Sequence, residues 1–281
     1  MVEYNYEKNS QGVSTAFDFK MDKRTKRFIN AIKNLKNPRI LEIGMGQGRF
    51  LKKISRLRPD AILYGVDISH TAICIAKEDK SIEGTFLVGS AEKIPFQDNF
   101  FDAVVIMDVL EHLSNPQQAI IEVKRVLSPS GLFHFYVPCE GQPFTLDKFL
   151  RVTNFLNLRD FTRNNFGHIQ YFTQKDIKNL VCPYFSKTVI TYSDHWISQL
   201  FHLLTLYLPK KFISIFNSSV QRKFRSSCGS GVQGKISNLW IVLNKLWLLL
   251  LFPINIIYEV EAWMLKHLSF TAKGVHFTGE Y

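Results

Sequence analysis

The sequence predicts an α/β fold built on a doubly wound, largely parallel sheet with helices on both faces. Three observations carry that expectation. Short apolar runs that read as buried strands alternate with stretches whose apolar residues recur at helical spacing. The first run, Ile40-Leu41-Glu42-Ile43, passes through Gly44-Met45-Gly46-Gln47-Gly48 into a helical pattern, the order of a nucleotide-binding crossover. Polar residues suited to ligand chemistry then fall at the carboxyl ends of successive strands, where open α/β sheets bind their ligands.

In chain order, residues 1–14 are polar and read as a loose arm. From 17 to 35, Phe28, Ile29, Ile32 and Leu35 recur among lysines and arginines, which predicts an amphipathic helix with a basic outer face. After the glycine loop, Phe50, Leu51, Ile54 and Leu57 form the expected buried stripe of a crossover helix that stops near Pro59. Strands are expected at 61–66, 86–88, 101–107, 132–137 and 187–192, with a helix over 70–77. Asn115-Pro116 opens a helix with the stripe Ala119, Ile120, Val123 and Val126, and Thr173 is placed to cap a helix over 174–180. His134 falls in a central strand and is expected to face helix packing.

Three glycines at alternate positions admit a ligand close to the backbone. A dinucleotide fingerprint would need glycine where Arg49 stands, and a P-loop would need a lysine after Gly48. Neither fits. Asp67 follows the second strand at the interval at which nucleotide-binding α/β folds place a ribose acid.

Five segments in order resemble the class I S-adenosylmethionine-dependent methyltransferases, of the type 11 and quinone O-methyltransferase-like small-molecule kind. They are the acid-plus-glycine loop Glu42 to Gly48, Tyr64-Gly65-Val66-Asp67-Ile68-Ser69, Gly89-Ser90-Ala91-Glu92, the run from Phe101 through Met107-Asp108-Val109-Leu110 to Glu111-His112-Leu113, and Leu127-Ser128-Pro129-Ser130-Gly131. The resemblance implies a seven-stranded Rossmann-like sheet whose antiparallel last strand is residues 274–280, with a helical insertion before it. It implies S-adenosylmethionine as cofactor. Glu42 would orient the methionine amine, Gly44, Gly46 and Gly48 would admit the cofactor, and Asp67 with Ile68 would hold the ribose end. Ala91 and Glu92 would flank the adenine, with Met107 at the close of strand four. The first crossover helix would offer its N–H groups to the methionine carboxylate.

Methyl transfer from a sulfonium needs alignment more than a catalyst, although a hydroxyl acceptor gains from a general base. His168, His112 and Asp108 are the candidates, with Tyr171 and Phe144 in the aromatic stretch where the family forms its acceptor site. A divalent-metal catechol mechanism is not expected, because no acidic cluster has metal-ligand spacing.

The 281 residues, 46% hydrophobic and carrying net charge +11, build a core and favour an anionic neighbour. Cys74, Cys139, Cys182 and Cys228 form no Cys-x-x-Cys pair, which suits a reducing cytosol, and residues 1–7 do not read as a secretory signal. The expected domains are a core over 1–194, an insertion over 195–273 and the last strand over 274–281. The insertion holds Trp196, Trp240, Trp247 and Trp263 and a nearly apolar run at 239–257 interrupted by Lys245 and Pro253, which favours lying in an acidic membrane surface over crossing it. A soluble cap is the alternative. The functional expectation is methylation of a hydroxyl on a small apolar or lipid-linked acceptor, by a cytoplasmic protein at the inner face of a membrane. The rivals are a nucleic-acid methyltransferase, whose Asn/Asp-Pro-Pro-Tyr signature is replaced by Met107-Asp108-Val109-Leu110, and a non-catalytic S-adenosylmethionine sensor or scaffold.

Overall fold

A computed structural model describes residues 16–145, 167–193 and 272–281, with short pieces at 148–149, 152–153, 195, 199–200, 261 and 264–265; for 16–23 the backbone alone is described. The chain divides into two compact units, Met1–Ser193 with Leu268–Tyr281, and Asp194–His267. Of the second, the described pieces are short: Gln199 N–H donates to the His195 carbonyl at 2.9 Å, and Leu265 N–H to that of Glu261 at 2.9 Å. The apolar run expected at a membrane surface lies outside the described residues, as do the four tryptophans of the insertion. No helix among the described residues is long and apolar enough to cross a membrane.

The first unit alternates as its hydrophobic pattern requires. Helix α1 (Ala16–Ala31) precedes β1 (Arg39–Ile43), α2 (Arg49–Leu57), β2 (Ile62–Asp67), α3 (His70–Glu78), β3 (Thr85–Val88) and β4 (Phe101–Met107). A 3-10 turn at Leu110–His112 leads to α4 (Pro116–Val126), β5 (Leu127–Pro138), α5 (Gln174–Val181), β6 (Ser186–Ser193) and β7 (Gly274–Glu280). The sheet order is β3-β2-β1-β4-β5-β7-β6. The first five are parallel neighbours, while β7 runs antiparallel between β5 and β6, with Phe135 opposite Phe277 and Ile190 opposite Phe277.

Period-two alternation splits the strand residues between two layers. Leu41, Ile43, Val104, Ile106, Phe133 and Phe135 pack with Ala119, Ile120 and Val123 of α4 and Ile177 and Val181 of α5. Ile40, Ala103, Val105 and Met107 pack with Phe28 and Ile32, with Phe50, Leu51 and Ile54 of α2, and with Ile73 and Ala76 of α3. Each fully buried aliphatic or aromatic side chain contributes roughly 1.5–3 kcal/mol, so both helical layers are held by the same hydrophobic term. At the opposite end from the glycine loop, Asp102 accepts from the Arg39 backbone N–H at 2.8 Å and its guanidinium at 3.2 Å, fixing β1 against β4.

The caps agree with the sequence. Asn115 accepts from Gln118 N–H ahead of Pro116, and Thr173 and Asp176 form a reciprocal capping box on α5. Three expectations are corrected. Leu57 is 53% exposed, because α2 ends on it and the last turn projects past the sheet. Strand β5 begins at Leu127 rather than 132, because an irregularity lets Leu127 pair with Phe101 before Leu132 meets Ala103. Asp67 is the last residue of β2, paired with Val88, rather than the first residue after the strand.

Candidate functional site

The glycine loop closes on the end of β2. Gly44 and Met45 both donate to the Val66 carbonyl, at 2.7 and 3.1 Å. Gly46 N–H donates to Asp67 Oδ2 at 2.7 Å, and Ser69 N–H to Oδ1 at 2.8 Å, so one carboxylate ties the loop to the start of α3. Gly44 has φ +74°, and a Cβ there would lie 2.2 Å from Val109 Cγ2. Gly46 has φ +53°, and a Cβ there would meet nothing within 4 Å. Gly44 is therefore required by close packing, whereas Gly46 borders open space.

Beneath this loop Glu42 is 3% exposed, and its Oε2 meets no hydrogen-bond donor. Burial, and then the neighbouring Asp67, hold its carboxyl well above the ordinary carboxylate range. A buried acid in that state suits a cation. Helix α2 starts from Gly48 without a side-chain cap and with no acid in its first turn, which suits a carboxylate. A cationic amine over Glu42 and a carboxylate over α2 are the two charges of an amino-acid moiety, so these residues fit S-adenosylmethionine. Around them, Ile68 is 60% exposed at the end of β2, Ala91 and Met107 are buried, and Glu92 Oε1 accepts from Asn115 N–H at 2.7 Å. Glu92 is thus partly committed to the entry of α4.

Past β4 the chain turns at Asp108, which takes φ +54°, a conformation aspartate tolerates better than most residues. Arg24 of α1 donates to Asp108 Oδ2, and its guanidinium carbon lies 3.5 Å over the Tyr136 ring. The geometry therefore gives Asp108 a tethering contact to α1.

The two histidines converge across 56 residues of sequence because segment 167–170 docks on the 3-10 turn. Ile169 and Gln170 N–H both donate to the Glu111 carbonyl at 3.0 Å, and the Gln170 side chain donates to the Leu113 carbonyl at 3.0 Å. His112 Nδ1 lies 3.1 Å from the Gly167 carbonyl, and the rings of His112 and His168 are 5.0 Å apart. Behind them His168 Nδ1 lies 3.2 Å from Glu140 Oε2, and Lys273 Nζ lies 3.5 Å from Glu140 Oε1. Glu111 is 1% exposed, and neither carboxylate oxygen meets a hydrogen-bond donor from another residue. Burial, and then the charge of Asp108, push its pKa up to about 8, while burial lowers that of His112.

One atom each from Glu111, His112 and His168 lies within 4.8 Å of the others, the spacing of a metal-ligand cluster. The sequence expectation concerned acidic clusters; this group has one acid and two histidines, and the docking of 167–170 supplies its third member. Glu111, Glu140, Lys273 and Arg24 were missed as site residues. Glu111 carried a signal, an acid inside an otherwise apolar Val-Leu-Glu-His run, but the partners of the others are visible only in the fold. Of the acceptor candidates, Tyr171 is half-buried, and Gly141 donates to the Phe172 carbonyl at 2.9 Å, running against this segment. Phe144 is 71% exposed. Most of residues 146–166 lies outside the described residues.

Comparison with known proteins adds the family. The family described as "Methyltransferase domain" matches residues 41–135. The chain is 32% identical over 105 residues to malonyl-[acyl-carrier protein] O-methyltransferase of Geobacter sulfurreducens, covering 37% of this chain and 39% of that one. It is 31% identical over 114 residues to demethylmenaquinone methyltransferase of Thermotoga maritima, covering 40% and 49%. The chain thus spans less than half the length of these curated relatives. In fold it is similar to phosphoethanolamine N-methyltransferase 2 of Haemonchus contortus, solved with S-adenosyl-L-methionine, at TM-score 0.53 and 14% identity over 92% of this chain and 52% of that one. Residues 41–135 thus match a methyltransferase domain, similar to those of the class I S-adenosylmethionine-dependent methyltransferases, and S-adenosylmethionine is the cofactor this match supports.

Proposed function

We propose that this chain transfers a methyl group from S-adenosylmethionine to a hydroxyl of a small apolar or lipid-linked acceptor. The observation that carries the cofactor half is Glu42, buried with an oxygen lacking a donor beneath a loop whose central glycine borders open space. The bound sulfonium supplies the methyl group, and the residues do the rest. Glu42 holds the amine, Gly44, Gly46 and Gly48 give the cofactor room, and Asp67 and Ile68 take the ribose end. Ala91, Glu92 and Met107 border the base.

The hydroxyl reading is supported by the cluster at the end of β4. Glu111, His112 and His168 gather proton-accepting groups at the carboxyl edge of the sheet, next to the residues assigned to the cofactor. His168 and His112 take the acceptor's proton as its oxygen attacks the methyl carbon. Tyr171 and Phe144 present aromatic surface to an apolar acceptor. The named substrates of the two relatives, a carrier-bound malonyl group and a demethylmenaquinone, are consistent with acceptors attached to long carriers. A cytoplasmic location against an acidic membrane, held by the basic and apolar insertion, fits such acceptors.

Calorimetry with S-adenosylhomocysteine and methyl-labelled transfer to quinone-type phenols and total lipid extract test the proposal. Saturable nucleotide binding lost in Gly46→Val, together with label in an alkali-stable ether, is the expected result. Binding without label in any extract favours the sensor reading, and no binding removes the proposal.

A further inference from the structure

We propose that Glu111, His112 and His168 form a site for a divalent transition-metal ion of the zinc type, with one coordination position left open for the acceptor oxygen. The ligand set stands on geometry, whereas its purpose rests on the methyl-transfer reading above. The three ligating atoms lie within 4.8 Å of one another, with His112 Nε2 4.0 Å from Glu111 Oε1. Bonds of about 2.0–2.2 Å to a common ion bring such atoms together with side-chain shifts on the order of an ångström.

One imidazole is already oriented for this. His112 Nδ1 is taken up by the Gly167 carbonyl at 3.1 Å, which holds the proton there and leaves Nε2 as the lone-pair donor, the arrangement that surrounds protein-bound metals. His168 Nδ1 lies 3.2 Å from Glu140 Oε2 as an ion-pair contact. Glu111 gives a second, independent indication. It is 1% exposed and its carboxylate oxygens meet no donor from another residue, so a cation is the partner that would let it ionise in place.

Lys273 faces Glu140, and Arg24 is taken by Asp108. Two imidazoles and one carboxylate favour zinc and its neighbours over magnesium or calcium, which prefer oxygen alone. Three protein ligands with an open position is the catalytic form of such a site. There the ion lowers the pKa of a bound hydroxyl. With the ion bound, His112 and His168 would serve as its ligands in place of the base role given above, so the hydroxyl would give its proton to water and its oxygen would then take the methyl carbon. The carbon–sulfur bond breaks, leaving its electron pair on sulfur.

The test uses the full chain, chelator-treated and carrying serine at Cys74, Cys182 and Cys228. The first of these lies 3.6 Å from His70 and, like the other thiols, could hold zinc adventitiously. Calorimetry with zinc chloride and visible spectra with cobalt(II) should show one ion per chain, at micromolar affinity or tighter. Glu111→Gln and His168→Ala should each abolish uptake, and Glu140→Gln should weaken it roughly 10- to 100-fold, as expected for a residue behind a ligand. Circular dichroism checks that each variant is folded. Absence of stoichiometric uptake by the parent chain overturns the proposal, as does uptake unchanged in folded Glu111→Gln or His168→Ala. S-adenosylhomocysteine titrated into the same samples separates the two readings: nucleotide binding without zinc sinks this inference alone, and zinc without nucleotide sinks the methyl-transfer reading and leaves the ion site standing.

Discussion

At the scale of single residues, Glu42 and His134 are both buried titratable groups, with opposite consequences. Burial, and then Asp67, make ionisation of Glu42 costly until a cation arrives, so Glu42→Gln should raise the melting temperature of the unliganded chain. The same change should weaken S-adenosylhomocysteine binding roughly 10- to 100-fold, the loss of a charged hydrogen bond. Thermal melts with and without nucleotide read both effects. Affinity in the parent should also fall as pH is lowered through the raised titration range of that carboxyl, because protonation removes the charge the amine needs. His134 accepts or donates at Nδ1 with Thr278 Oγ1 at 2.7 Å, and burial lowers its pKa to about 3. Its folded value lies below the unfolded one, so the stability it allows at neutral pH is lost as pH falls from about 6.5 towards 3. Between pH 7 and 5 the parent should lose about 2 kcal/mol that His134→Gln does not, measured by urea unfolding at each pH. Glu42 was legible because it is an acid placed two residues before a glycine loop. Glu140 was not, because a glutamate after a cysteine acquires meaning only when His168 and Lys273 arrive from elsewhere.

Among the elements, the decisive join is the docking of segment 167–172 on the turn after β4. Gly141 makes that join possible: a Cβ there would lie 2.3 Å from the Tyr171 carbonyl and 3.0 Å from that of Phe172. Gly141→Ala should therefore lift this segment, cost about 1–3 kcal/mol in urea unfolding, and speed tryptic cleavage at Lys175. An unchanged digestion pattern with unchanged stability would contradict the packing account. Strands β1, β2 and β4 were readable as short apolar runs and helices α3 and α4 from their helical patterns, whereas β7 was placed by analogy with the family's last strand. The 3-10 turn and the early start of β5 were not. Both depend on backbone pairing with a distant partner, Glu111 with 167–170 and Leu127 with Phe101, and leave no period in the sequence.

For the whole molecule, net charge +11 bears on where the chain works. Each Lys or Arg brought to an acidic lipid surface contributes about 1 kcal/mol, screened by salt. Sedimentation with phosphatidylserine vesicles should carry the chain into the pellet at low salt and release it as salt rises, while neutral vesicles should leave it in solution. Equal recovery from both would remove the membrane part of the proposal. The order β5-β7-β6 carries one more consequence. Because β7 comes last in the sheet yet sits inside it, a ribosome that has finished everything through Ser193 holds a nascent chain whose β5 edge is bare and whose β6 has no neighbour. The stretch 194–273 must be made, and kept from aggregating, before residues 274–280 can slot in and seal that gap. Lys273 emerges just ahead of that closing strand, so the Glu140 side of the histidine cluster is completed only as the sheet itself closes.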